Sequence, residues 1–209
     1  MWQLIALLAS AFAEPAYPLW PNQFTQTFNE TTSLFIGSHH TTGTYYYDWT
    51  NRKYRVDRAN GRNDRYCGLN GVYMFFNTPC SHYVSEGKRY LYYPNRDHCC
   101  FCCDDAQGCG VLKPTWLEGA EYLGEEQHLG FNTYKWNQKG LQNNFYYETV
   151  ASNPVKREMI SLYQEPNDLM DFLNGRQNSV PAGALDLPDT CKDAKACSLF
   201  STCSLVRHS

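Results

Sequence analysis

Ten cysteines constrain this 209-residue chain more than any other feature of its sequence. Seven lie between positions 67 and 109, and three lie in the tail. Both numbers are odd, so if all ten pair within the molecule, at least one disulfide must join the tail to the central group. A set of three bridges between the tail and the central group is equally compatible with these odd numbers. The cysteines are Cys67, Cys80, Cys99, Cys100, Cys102, Cys103, Cys109, Cys191, Cys197 and Cys203.

The run Cys99-Cys100-Phe101-Cys102-Cys103 has two interpretations. Four thiolates within five residues could bind zinc or copper. The spacing lacks the two separated C-x2-C pairs of a zinc ribbon, however, and adjacent cysteines rarely bond to each other. We therefore expect no metal at this run, but disulfides that leave each doublet in different directions.

Residues 1–13 have the features of a secretory signal peptide. The segment is apolar, carries no charge before Glu14, and ends in the small residues Ala11-Phe12-Ala13. It is short and has no Lys or Arg, and a buried N-terminal helix is the alternative. Together with the cysteines it predicts a secreted or lumenal protein. The motif Asn29-Glu30-Thr31 makes Asn29 a candidate glycosylation site.

Charge and hydropathy exclude two classes of partner. The formal net charge of −3 gives no bulk attraction to nucleic acid. After residue 13, no apolar run approaches the ~20 residues of a membrane-spanning helix. The sequence therefore predicts a soluble protein without a membrane span, and it leaves the oligomeric state open.

The chain between the termini predicts mainly β structure. Residues 14–23 form an extended linker, because X-Pro pairs disfavour helix. Segment 97–110 is a cysteine-rich loop, residues 114–122 fit a short helix, and residues 190–209 form a tail bridged to the main domain over 24–189. Strands are predicted at 24–36, 41–49, 53–58, 73–76, 80–84, 90–93, 127–136, 143–150, 155–164 and 168–177. Strands at this spacing indicate an antiparallel sheet, in which 16 tyrosines and 5 tryptophans supplement the aliphatic residues.

Six aromatic residues are candidates for lining a ligand cavity. Packing in an ordinary core is the alternative, because large aromatic side chains are usually buried for packing. A sheet with few helices can enclose space for an apolar ligand, which supports the cavity. The six are Trp49, Phe75, Trp116, Trp136, Phe145 and Tyr147.

The sequence contains no recognisable catalytic motif. It has no GxSxG, HExxH or P-loop, and we predict no catalytic residue. His82, His98 and His128 are interpreted as ordinary surface or loop histidines. The acidic pairs Asp104-Asp105 and Glu125-Glu126 could bind calcium loosely, but neither has EF-hand spacing, and solvated turns are the alternative.

Short motifs occur along the chain: Tyr46-Tyr47-Asp48-Trp49, the basic residues Arg52, Lys53 and Arg55, Thr78-Pro79-Cys80, Tyr92-Tyr93-Pro94, Gly108-Cys109-Gly110, Tyr134-Lys135-Trp136 and Leu187-Pro188. Their order resembles secreted, cysteine-rich proteins of unicellular eukaryotes that are distantly similar to ependymins, and ependymin-related proteins themselves. The resemblance spans roughly residues 40–195 through scattered matches. The CC-x-CC cluster and the three-cysteine tail are departures from the animal ependymin pattern.

The resemblance implies a single curved antiparallel sheet, a half-barrel of the kind shared with bacterial LolA-like lipoprotein carriers, with a hydrophobic pocket on its concave face. It supplies no catalytic residue. The leading hypothesis is a secreted, disulfide-stabilised protein that binds a hydrophobic or amphipathic ligand, such as a lipid, on that face. One alternative is an extracellular matrix or adhesion glycoprotein that responds to calcium. Another is a non-catalytic prodomain or an uncharacterised hydrolase.

Overall fold

The computed structural model describes residues 14–33, 37–61, 64, 66, 67, 77–140, 142–199, 201 and 203. The proposed signal peptide, the strand predicted at 73–76 and Phe75 lie outside these residues. Within the described chain, no helix has the length and apolarity needed to cross a bilayer.

Eleven strands form one antiparallel sheet. Their order across the sheet is β6-β5-β4-β3-β2-β1-β11-β10-β9-β8-β7, so β6 and β7 are the two edges and the sheet is open. This confirms the predicted fold class, a mainly β protein built on a single curved antiparallel sheet. The strands are β1 (Gln23–Ser33), β2 (Ser38–Asp48), β3 (Lys53–Arg58), β4 (Cys80–Ser85), β5 (Lys88–Tyr93), β6 (His98–Asp104), β7 (Glu121–His128), β8 (Phe131–Lys139), β9 (Asn143–Thr149), β10 (Met159–Gln164) and β11 (Asp168–Phe172).

Two predicted elements differ from the structure. Residues 114–119 form successive turns, and the helix predicted over 114–122 is absent. The turns close through bonds such as Glu118 N–H to Thr115 O at 2.9 Å, and Gly119 has φ +86°. The strand predicted at 127–136 is a hairpin whose tip is Leu129-Gly130. Leu129 adopts φ +50°, a conformation that is usually found at Asn, Asp or Gly. Because leucine is not a typical turn residue, the sequence does not predict a turn here.

The cysteine-rich segment contains a strand, β6, where the sequence predicts a loop. Cys103 pairs with Arg89 and Phe101 pairs with Tyr90, which leaves Cys102 as an extra residue in a β-bulge. The bulge changes the alternation of faces, so Cys100 and Cys103 both lie in the buried cluster around Leu91. Doublets of one residue type carry no alternating pattern, which is why the sequence does not predict this strand.

All ten cysteines form disulfides, so no thiolate remains to bind a metal. Two bridges are local, Cys67–Cys80 and Cys103–Cys109. The other three join the tail to β6. The sequence required at least one bridge of this kind, because seven cysteines lie in the central group and three in the tail. The three bridges are Cys99–Cys191, Cys100–Cys197 and Cys102–Cys203. The first lies against Tyr83 and Tyr90, and the other two lie in the cluster around Leu91, so the tail passes over the β6 edge.

The two faces of the sheet differ in composition because successive side chains of a strand point to opposite sides. In β1, Phe24 and Phe28 are fully buried, whereas Thr25, Thr27 and Asn29 alternate with them and are more exposed. We call the side of Phe24 and Phe28 the core face and the opposite side the outer face.

Largely irregular chain, rather than α-helices, covers the described part of the core face. The N-terminal segment 14–22 places Trp20 among Phe24, Tyr47 and Trp116, at ring distances of 5.2 to 5.5 Å from Trp20. Segment 105–120 inserts the fully buried Leu117. A hydrogen bond joins these two segments: the main-chain N–H of Trp20 donates to Pro114 O at 3.1 Å.

A buried ion pair holds the N-terminal segment against β9. Arg157 donates from Nη1 to Glu148 Oε1 at 2.9 Å and to Ala16 O at 2.6 Å. The Trp136 indole N–H donates to the same carboxylate at 3.2 Å. Burial raises the pKa of Glu148 from 4.5 to about 7, against the lowering effect of Arg157 and Trp136.

We expect double substitutions to reveal the disulfide pairing. Cys99→Ser/Cys191→Ser removes both ends of one bridge and should leave no free thiol in the denatured protein. The matched control Cys99→Ser/Cys197→Ser leaves Cys191 and Cys100 unpaired and should give two reactive thiols, or one new bridge of different connectivity. Titration with a thiol reagent under denaturing, non-reducing conditions measures this. Two thiols in the first variant would contradict the pairing.

We also expect stability to decrease as the pH rises. The Glu148 carboxyl has a higher pKa in the folded than in the unfolded protein, so proton binding stabilises the folded state. Its contribution to the free energy of unfolding is complete below pH 4.5 and is lost as the pH rises to about 7. Glu148→Gln cannot ionise and keeps an acceptor for Trp136 and Arg157, so the fall in Tm between pH 5 and 7 should be smaller in this variant. Glu118→Gln, at an exposed carboxylate, is the control and should leave the slope unchanged. An unchanged slope in Glu148→Gln would contradict the assignment.

Candidate functional site

A cleft of about 430 Å³ opens on the outer face, over the central strands β1 to β4. This is within the range of ~300–1,000 Å³ typical of small-molecule pockets. We call it the outer-face cleft. Its lining is Thr27, Phe28, Thr42, Gly43, Thr44, Arg55, Asp57, Arg58, Ala59, Pro79, Cys80, Ser81, Pro94 and Leu173.

Strand register builds the polar part of this cleft. Thr27 lies opposite Thr44, Thr44 opposite Asp57, and Asp57 opposite Ser81. Paired residues share a face, so these four side chains form one row across four neighbouring strands, which are spaced about 4.8 Å apart. The row supplies three hydroxyl groups and one carboxylate.

Asp57 is the centre of a hydrogen-bonded group in the cleft. Its Oδ1 accepts from Ser81 Oγ at 2.6 Å and from Arg55 Nε at 2.6 Å. Arg55 also donates to Ala184 O at 3.1 Å, and its guanidinium lies 5.0 Å from the ring centre of Tyr83. Burial alone would lower the pKa of Arg55, but its hydrogen bond and charge interaction with Asp57 raise it overall. The two charges are therefore balanced within the cleft.

Apolar side chains stand beside this polar row. Leu173, directly after β11, is 52% exposed, and Pro79 and Pro94 flank β4 and β5. The cleft can therefore contact a ligand that has both a hydrogen-bonding part and an apolar part.

A buried charged cluster lies beneath the cleft. Arg58 binds the Glu30 carboxylate through two bonds, Nε–Oε2 at 2.5 Å and Nη2–Oε1 at 2.7 Å. Asp64 Oδ2 lies 3.8 Å from Arg58 Nε. Burial raises the pKa of Glu30, and Arg58 opposes that rise. His82, interpreted from the sequence as a surface or loop histidine, is buried 3.4 Å from Arg58, and burial lowers its pKa.

The structure separates the predicted cavity-lining residues. Trp116 and Trp136 pack in the core: Trp116 lies 6.0 Å from Tyr146, and Trp136 is fully buried. Phe145 and Tyr147 flank Tyr146 in β9 and so lie on the opposite, outer face.

The remaining predicted residues do not meet this group. Phe145 stacks on Tyr163 at 6.1 Å, and Tyr147 stacks on His128 at 4.1 Å. Trp49 follows β2, with the Arg52 guanidinium 3.3 Å from its ring centre. The five described candidates therefore do not line one common cavity. The alternation of side chains along a strand could have assigned Phe145 and Tyr147 to the face opposite Tyr146 from the sequence alone. The row of polar residues in the outer-face cleft could not be found in this way, because it depends on the register between strands that are distant in sequence.

The acidic pairs have local partners. Asp104 Oδ1 accepts from the Gln107 N–H at 3.1 Å, and Glu126 lies 3.3 Å from Lys135 Nζ. In the described parts of the chain, no three His, Cys, Asp or Glu side chains converge as a metal site. Calcium binding thus stays a prediction without an identified site.

The chain belongs to the family described as "Domain of unknown function (DUF8395)", whose pattern matches residues 19–191. No curated protein matches the chain.

Solved structures that are similar to this chain share little sequence with it. An uncharacterized conserved protein from Thermus thermophilus is 10% identical, with 84% of this chain and 90% of that chain covered and a TM-score of 0.48. A putative outer membrane lipoprotein-sorting protein domain from Vibrio parahaemolyticus is 8% identical, with 82% and 90% covered and a TM-score of 0.39. A LolA superfamily protein from Nitrosomonas europaea is 8% identical, with 87% and 90% covered and a TM-score of 0.35. All three TM-scores are below 0.5, so these similarities identify no shared function.

We expect Arg58→Ala to destabilise the fold strongly. Removing one partner of a buried ion pair typically costs about 3–5 kcal/mol, because the other charge stays buried without compensation. Arg96→Ala, at an exposed arginine, is the control and should change the free energy of unfolding by less than about 0.5 kcal/mol. Urea denaturation measures both. A cost below about 1 kcal/mol for Arg58→Ala would contradict the structural role of this pair.

Proposed function

We propose that this protein binds a small amphipathic molecule in the outer-face cleft. The observation that carries the proposal is the row of Thr27, Thr44, Asp57 and Ser81 beside the apolar Leu173. Hydroxyl groups and a carboxylate offer hydrogen bonds to a polar head, while leucine and proline side chains cover an apolar tail. Pockets of this mixed character are typical of small-molecule sites.

The charge balance of the cleft favours an uncharged head group. Arg55 and Asp57 neutralise each other at 2.6 Å. An anionic head group would be repelled by the nearby Asp57 carboxylate, and a cationic head group would be repelled by the Arg55 guanidinium. A head group rich in hydroxyls can both donate to Asp57 and accept from the threonine hydroxyls. The proposed ligand is therefore a neutral, hydroxylated amphiphile.

The sequence suggested a cavity lined by aromatic residues, and we instead place the binding site in the outer-face cleft. On the described core face, Trp20, Phe24 and Trp116 pack against one another and against segment 105–120. The outer-face cleft is open, and its two kinds of lining favour it as the binding site.

Secretion and the absence of catalysis are parts of the same proposal. Ten cysteines in five disulfides support an oxidising compartment. Asn29 is exposed on the outer face opposite Thr42, so a glycan attached there would lie beside the cleft. The likeness to ependymin-related proteins, with a matrix or adhesion role, stays a prediction.

Three eight-carbon amphiphiles test the ligand class. We expect octyl glucoside, below its critical micelle concentration, to shift the NMR signals of Thr27, Thr44 and Ser81 at lower concentration than octanoate or octyltrimethylammonium. Leu173→Glu places a charge in the apolar wall and should weaken binding about tenfold, or ~1.4 kcal/mol. The same substitution at Leu129, which is 55% exposed at the β7–β8 hairpin tip, is the control.

Two results would contradict the proposal. One is equal binding of all three head groups at the cleft. The other is an equal effect of Leu173→Glu and Leu129→Glu, because only Leu173 lines the cleft. Unchanged melting temperatures in both variants would exclude loss of folding as the reason for weaker binding.

A further inference from the structure

We propose that the β7 edge accepts an extended, basic segment of a partner protein as a twelfth strand of the sheet. The two edges of the sheet differ. At β6, the tail runs alongside the strand: the Phe101 N–H donates to Lys195 O and the Cys197 N–H donates to Phe101 O, both at 2.8 Å. Disulfides hold the tail in place there. At β7, no described segment pairs with the outward side of the strand.

The β7 edge presents main-chain groups in a regular pattern. His128 and Phe131 close the two-residue hairpin, and the pairing continues through Glu126 opposite Thr133. In an antiparallel pair, alternate residues direct their N–H and C=O groups toward the partner strand or away from it. Glu125 and Gln127 are the alternate positions, so their main-chain groups point outward, available to an added strand.

The same hairpin carries three exposed apolar residues. Leu129 and Phe131 lie together at its tip and form what we call the apolar patch, whereas Leu123 lies about 20 Å away along β7. The side chains of Leu123, Leu129 and Phe131 are 43%, 55% and 50% exposed. Natural sheet edges are usually protected by lysine, proline or a very short strand. β7 has eight residues with neither lysine nor proline, although a bulge follows Tyr122. Leu129 adopts φ +50°, a backbone conformation in which glycine or asparagine would be less strained than leucine.

Charge determines which occupant fits. β7 contains Glu121, Glu125 and Glu126, and neither lysine nor arginine. Lys139 and Lys135 of β8 approach Glu121 and Glu126 at 2.9 and 3.3 Å, whereas Glu125 has no ion pair among the described residues. A second copy of β7 would bring glutamates opposite glutamates, which is destabilising. A segment of a different protein that alternates Lys or Arg with apolar residues avoids this repulsion and can cover the patch.

A labelled ten-residue peptide of alternating Lys and Val is the probe, and fluorescence anisotropy at low ionic strength is the measurement. A Glu–Val peptide and a Lys–Val peptide with central prolines are the ligand controls. We expect the Lys–Val peptide to bind at least tenfold more tightly than either control and to weaken with added salt.

Gln127→Pro removes one outward donor, and proline is tolerated at edge positions whose N–H faces solvent. It should weaken peptide binding at least tenfold, while Gln127→Ala, which keeps the N–H, should bind like the parent protein. Glu125→Lys should reverse the preference between the two charged peptides. Leu173→Glu, in the outer-face cleft, should have no effect, so this test is independent of the cleft.

Equal binding to Gln127→Pro and Gln127→Ala would overturn the proposal, provided that circular dichroism and melting temperature match the parent protein. A dimer of the chain that Gln127→Pro dissociates, seen by sedimentation, would also overturn it in favour of a second copy. Binding of all three peptides with equal affinity would indicate non-specific contact and would count against it as well.

Discussion

An open sheet must bury one face, and in the described chain no long helix is present to do so. Irregular segments cover that face, and their main-chain polar groups need partners once they are buried. Side chains supply several of these: the Tyr47 hydroxyl donates to Leu112 O at 2.7 Å, and Arg157 donates to Ala16 O. This accounts for the buried tyrosine, tryptophan and arginine side chains, which combine apolar area with a donor group and lie beside phenylalanine and methionine in the core.

Covering the core face in this way leaves the outer face to the C-terminal segment. Residues 179–191 of that segment meet the outer face: Ser179 O accepts from Thr25, Ala184 O accepts from Arg55, and Cys191 bonds to Cys99. It reaches the β6 edge and pairs with it, so one edge is covered by the chain's own tail. Among the residues that the structure describes, no segment covers the central cleft or pairs with the outward side of β7.

Much of the fold could be predicted from the sequence, because strand formation here depends on local residue types. Tyr45-Tyr46-Tyr47 and the alternating Lys53–Arg58 segment gave correct strands. The failures have physical causes. Leu129 forms a turn without a turn-forming residue, and β6 consists largely of cysteines, which carry no alternating pattern. The site was harder to predict, because the aromatic residues chosen as cavity-lining lie on both faces of the sheet.

The sequence by itself determined the class of structure and one covalent constraint. An excess of strand-forming residues specified a β-sheet, and seven cysteines against three required a bridge between the tail and the centre if all of them pair. Only the tertiary structure decided which residues meet. Thr27 and Ser81 share a row because three successive antiparallel registers connect them, and each register is set by the burial of one whole face. A single-residue slip in any of these pairings would move the polar groups of the cleft into the core.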